Sequence, residues 1–204
     1  MMLRQRAGKL LKTPEFRWYA LILGLILPVL AAYLAKYTWA NISDDRYITL
    51  TFAKCLADGR GFVFNHPPAT LGTTTPLLAI MLAAAKMALP IVPLETIAVW
   101  CTGLFWALLA LCPMRFRKLL GLKPWQAGLL GAVIATQLRI DTGSETEPFQ
   151  FLLLLSIMAF SARYCFTAGV LSGLLYLTRG EGALLAPLLI AVLTVQTWAE
   201  PEPD

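Results

Sequence analysis

From Trp18 to about Tyr37 the chain reads "WYALILGLILPVLAAYLAKY", an apolar run with one lysine near its end. About 20 apolar residues in a helix cross about 30 Å of hydrocarbon, a medium in which every backbone N–H and C=O must be satisfied within the segment. Further apolar runs cover about Pro76 to Leu89, Leu94 to Cys112, Trp125 to Leu138, Pro148 to Ala162, Tyr164 to Thr178 and Gly182 to Trp198. Runs such as "LILGLILPVL" and "FLLLLSI" lack the period of two that a transmembrane β-strand needs, so helices are predicted. With 58% hydrophobic and 14% charged residues, the chain has too little polar surface to coat a soluble domain. The expected fold is all-α, a polytopic membrane helix bundle. The first run exceeds the core of a cleaved signal peptide, which favours a retained anchor.

The charges orient these helices. Arg4, Arg6, Lys9, Lys12 and Arg17 face a single Glu15 before the first run, and "RFRKLLGLK" carries Arg115, Arg117, Lys118 and Lys123 without an acid. Basic residues gathered beside apolar runs read as cytoplasmic topology determinants, so the net charge of +5 implies no nucleic-acid partner. Two cytoplasmic points are separated by an even number of crossings. One run between them therefore does not cross. Pro76 to Leu89 is the weaker candidate, since 14 residues reach only about 21 Å and Lys86 lies among them, where an interfacial helix lets it snorkel. Counting onward gives about six transmembrane helices with both termini cytoplasmic. The expected organisation is a basic N-terminus (1–17), a transmembrane domain (18–199) with its first outer loop at 41–75 and a juxtamembrane helix at 76–89, and a tail (200–204). The outer segments then hold Asp44, Asp45, Asp58, Asp141, Glu145, Glu147 and Glu181, together with Arg179.

Within "SDDRYITLTFAKCLADG", Ser43 is placed as an N-cap, Ile48, Phe52, Cys55 and Leu56 form an apolar stripe at helical spacing, and Gly59 is the expected left-handed cap. Carboxylates in a first helical turn are favoured by about 0.3 to 1 kcal/mol each, which by itself accounts for Asp44 and Asp45. The same field keeps a carboxylate ionised, as a general base requires. Spacing leaves both roles open. Cys55, Cys101, Cys112 and Cys165 show no CxxC pattern and read as buried free thiols. His66 lacks metal-ligand partners, "NIS" at Asn41 matches the glycosylation acceptor triplet, and Gly169 with Gly173 is a small-xxx-small packing pair.

"SDDRYITLTFAKCLADGRGFVFN", followed at Thr73 by "TTTPLLA", resembles the first outer loop of the GT-C integral-membrane glycosyltransferases. "SETEPF" at Ser144 and "LTRGEGALLAP" at Leu177 resemble two later elements of that superfamily, in order and on the same side. The second of these has Gly180 where the superfamily usually has proline. The resemblance runs from about Arg17 to Ala199 and covers the front half of a typical member. It implies transfer of a sugar from a polyprenyl-phosphate carrier to an acceptor hydroxyl on the outer face of a bacterial inner membrane. By position it implies Asp44 as general base, with Asp45 as alternative or support. Arg179 would grip the carrier phosphate, and Glu145 and Glu181 would line the substrate site. The resemblance fixes no cofactor beyond the lipid-linked donor. Some relatives use a divalent cation, and the carboxylates are compatible with Mg²⁺ or Mn²⁺. Membrane lipids are expected partners, as is a membrane protein supplying further helices. The rival reading is a shortened, inactive relative that binds carrier lipid or serves as a membrane subunit.

Overall fold

In a computed structural model, residues 14–36, 44–64, 72–136 and 143–199 are described, and among them every regular element is helical. In chain order they are α1 (Pro14–Lys36), α2 (Asp44–Ala57), α3 (Pro76–Ala88), α4 (Leu94–Phe116), α5 (Pro124–Ala135), α6 (Thr146–Ser161), α7 (Cys165–Thr178), a 3₁₀ turn (Gly180–Leu184) and α8 (Leu185–Ala199). Local chemistry sets many of the boundaries. Pro76 and Pro124 occupy the first turn of α3 and α5, where a missing N–H costs nothing, and Pro93 precedes α4. Gly59 takes the predicted left-handed conformation (φ +74°), with Gly59 N–H donating to Leu56 O and Arg60 N–H to Cys55 O. These are the two reverse bonds of a Schellman cap.

Among the described residues two helices, α1 and α4, are long and apolar enough to cross a membrane. At 23 residues each they extend about 35 Å. The other expected crossings are helices of 12, 16, 14 and 15 residues, each shorter than the roughly 20 residues that span the hydrocarbon. Segment 137–142, between α5 and α6, lies outside the described residues.

The helices alternate in direction. In α4, Gly103 meets Leu30 and Tyr33 of α1, whereas in α5 Gly128 meets Trp18 and Gly131 meets Ile22 and the Ala110 carbonyl of α4. α1 thus runs antiparallel to α4 and parallel to α5. Its basic-end half packs in a core of Ile22, Ile26, Trp106, Ala110, Met114 and Ala127. At the other end Tyr33 joins Leu50, Phe52, Ala53, Leu78, Leu82 and Ile97, so α2 and α3 lie across the far ends of α1 and α4. Arg115 and Lys118 share one end of the bundle with the α6–α7 turn. Glu145, Arg179 and Glu181 share the opposite end.

Four expectations are corrected. Ile48 is 40% exposed, and the buried face of α2 instead carries Thr49, Leu50, Phe52, Ala53 and Cys55. A polar residue enters that face because Thr49 Oγ1 lies 2.9 Å from Thr75 Oγ1 and 3.5 Å from Thr73 Oγ1. A Cβ added at Gly169 or Gly173 would meet nothing within 4 Å, so neither makes a close helix contact. The small pair that does is one position earlier, Ala168 and Ser172. Ser156 Oγ of α6 stands 2.9 Å from Ser172 Oγ, and both hydroxyls reach the Ala168 carbonyl, at 3.0 and 2.8 Å. Lys86 does not reach outward: its Nζ donates to Pro90 O at 2.7 Å and Val92 O at 2.8 Å, clamping the α3–α4 turn. Cys55 and Cys112 are buried free thiols as expected, but Cys101 is only partly buried and Cys165 is exposed at the start of α7.

Candidate functional site

Three segments far apart in sequence meet at the end of the bundle away from Arg115 and Lys118. The "TTTP" segment arrives through a hydroxyl cluster. Thr49, Thr73 and Thr75 are all buried, Thr73 and Thr75 hydroxyls lie 3.2 Å apart, and Thr75 N–H donates to Thr73 Oγ1. Each hydroxyl both donates and accepts, so three of them can satisfy one another without water. The cluster ties α2 to the start of α3 and leaves Thr74 exposed.

The "SETEP" segment is hung from α4. Gly143 N–H donates to Thr102 Oγ1 at 2.9 Å, and that hydroxyl donates in turn to Ala98 O at 3.1 Å. Ser144 Oγ accepts from Thr146 N–H, and the Glu145 carbonyl accepts from Phe149 N–H to open α6. The "TRGEG" segment follows from a break in the chain direction: Arg179 is extended (φ −161°, ψ 136°) between α7 and the 3₁₀ turn. A Cβ on Gly182 would lie 2.6 Å from Leu175 backbone, so this position accepts no side chain.

The result is a cavity of about 520 Å³ lined by Thr73, Thr74, Glu145, Tyr176, Arg179 and Glu181, with Pro76, Leu177 and Gly180 completing it. Arg179 Nε lies 3.1 Å from Glu181 and 3.9 Å from Glu145. The Arg179 side chain is 43% exposed, Glu181 63% and Glu145 24%, so both pairs are in contact with solvent. Exposed ion pairs contribute about 0 to 1 kcal/mol, so an incoming anion can displace either carboxylate at small cost. Arg179 combines a planar fork of donors with a position at the cavity wall, which suits a phosphate.

Of the expected site residues, Glu145, Arg179 and Glu181 are therefore brought together. Asp45 is exposed, and it stands one helical turn before Thr49 on the same face of α2, the face that meets Thr73 and Thr75. Asp44 opens α2, but its side chain lies outside the described residues, as do Ser43, Asn41, His66 and Asp141. Asp58 pairs with Arg60 at 3.0 Å away from the cavity. Among the described residues no three His, Cys, Asp or Glu side chains gather closely enough to hold a metal ion, so a cation gains no support from this geometry.

Some contributors were not singled out from the sequence. Thr73, Thr74 and Tyr176 line the cavity, and consecutive hydroxyls ahead of a helix-starting proline in an otherwise apolar chain were the available signal. Glu147, one of the acids of the expected outer segments, is 5% exposed in the first turn of α6. There the helix dipole favours a carboxylate. No family model, curated protein or solved structure matches this chain.

Proposed function

We propose that this chain is a membrane glycosyltransferase of the GT-C type, moving a sugar from a polyprenyl-phosphate carrier to an acceptor hydroxyl on the outer face of a bacterial inner membrane. The observation that carries the reading is the convergence of Thr73, Glu145, Arg179 and Glu181 on one cavity from three segments that together span more than 100 residues of the sequence. The "TTTP", "SETEP" and "TRGEG" segments all take part in the resemblance, and a cavity of this size admits a sugar with its phosphate. Large apolar side chains exposed on the flanks of the bundle support a lipid setting: Leu21 and Leu27 of α1, Leu104 of α4, Leu129 of α5, Phe166 of α7 and Ile190 of α8.

In the proposed reaction the bond between the sugar anomeric carbon and the carrier phosphate oxygen breaks as the acceptor oxygen bonds to that carbon. The acceptor proton passes to a carboxylate, and the departing phosphate retains the electron pair. Arg179 meets the charge growing on that phosphate, while Glu145 and Glu181 hold hydroxyls of the sugar or acceptor. The base comes from the start of α2. The resemblance points to Asp44, and helix register keeps Asp45, on the Thr49 face, as the alternative. No step is routed through a cation.

The proposed arrangement has about six crossings, with the bilayer thinning locally around the helices of 12 to 16 residues. Their shortness also favours a second reading, a carrier-binding membrane subunit completed by a partner's helices. One experiment separates the two. Purified, lipid-reconstituted protein is supplied with a panel of radiolabelled polyprenyl-phosphate sugars, with Asp44→Asn and Asp45→Asn as parallel variants. The transferase reading expects label transfer, reduced about 10²- to 10⁴-fold in one variant with helical content unchanged. Carrier binding without transfer, equal in all three proteins, would support the subunit instead.

A further inference from the structure

At the opposite end of the bundle a second cavity, of about 600 Å³, opens between the end of α4 and the α6–α7 hairpin. Its mouth carries Arg115 and Lys118, both exposed, with Tyr164 at the turn, and its floor is formed by Leu155, Met158 and Leu171. The Arg115 guanidinium sits 5.7 Å from the Phe116 ring centroid, which holds the cation beside the opening. Among the described residues no aspartate or glutamate lines this cavity. From the mouth at Ala162 to the floor at Leu155 is seven residues of helix, about 10 Å along the axis.

Two cations over an apolar slot parallel to the helices complement one kind of molecule, an anionic amphiphile entering head-last. We infer that this groove binds an anionic phospholipid, its phosphate between Arg115 and Lys118 and the upper part of one acyl chain against Leu155, Met158 and Leu171. Basic pockets between membrane helices bind anionic headgroups by this combination of charge and shape. The inference rests on the membrane setting proposed above and is independent of the transfer reaction.

The test uses the full chain purified in a zwitterionic detergent. Thermal unfolding is followed during titration with phosphatidylglycerol, phosphatidylcholine or inorganic phosphate. A saturable rise in midpoint is expected with phosphatidylglycerol alone. Half-saturation should move roughly tenfold or more upward in the Arg115→Gln, Lys118→Gln double variant, and by less in each single variant. A charge-matched double variant at the same end, Arg17→Gln with Lys123→Gln, should bind as the parent does. The single variants carry the test should the double variant not fold. Equal stabilisation by phosphatidylcholine, reproduction of the shift by inorganic phosphate, or equal loss in the charge-matched control would each overturn the groove. None of these outcomes depends on sugar transfer, so the groove and the transferase reading stand or fall separately.

Discussion

Thr49 shows how one hydroxyl can decide a surface. On an amphipathic helix an aliphatic residue would bury more apolar area there, yet threonine gains a partner 2.9 Å away in Thr75 and a second neighbour in Thr73. Substitution Thr49→Val keeps the shape and removes the donor, leaving Thr73 and Thr75 to each other at 3.2 Å. A loss of about 1 kcal/mol is expected in chemical denaturation. Turnover should fall by more than this stability change accounts for, because Thr73 lines the cavity and its position depends on the cluster. Thr49→Ser, which restores the hydroxyl, should recover both. Unchanged turnover in the valine variant would mean that the cluster holds the fold without shaping the site.

At the scale of elements, the same left-handed cap recurs with different residues. Gly59 and Gly121 adopt positive φ at their turns, and Arg163 does so at +66° after α6. There Arg163 N–H donates to Phe160 O and Tyr164 N–H to Ala159 O, both at 2.9 Å, the same pair of reverse bonds that closes α2. A side chain in this region costs about 1 to 2 kcal/mol, and glycine avoids it while losing some entropy of the unfolded chain. Relief of this strain in Arg163→Gly is expected to contribute about 0.5 to 1 kcal/mol toward a higher unfolding midpoint, against the loss of the arginine side chain's own contacts. A decrease would show that the arginine side chain contributes more to this turn than its backbone strain removes. Helix contacts obey a similar close accounting of space: Gly131 admits the Ala110 carbonyl, while Gly169 and Gly173 admit nothing.

For the whole molecule, the alternation of helices puts Asp58, beside the start of α4, and Glu145 at one end and Arg115 and Lys118 at the other. Cysteine labelling in sealed vesicles reads this directly. With the exposed Cys165 replaced by serine, Asp58→Cys should react with a membrane-impermeant maleimide from the outer side and Lys118→Cys from the cytoplasmic side alone. Labelling of both from one side would remove the even number of crossings between the basic segments and with it the proposed topology. Much of the architecture was legible in the sequence. Apolar runs located the helices, prolines 76, 93 and 124 marked where three of them begin, and Gly59 marked where α2 ends. These signals are local, because backbone hydrogen bonding and φ restrictions act within a few residues. The partners of each face were not legible. When a helix is apolar all round, periodicity does not say which side is buried, so Ala168 and Ser172, not Gly169 and Gly173, were found to meet α6 only in three dimensions. The same holds for the cavity: the residues of Arg179, Glu145 and Thr73 were visible one by one, but their distances are set by close packing between helices remote in the chain.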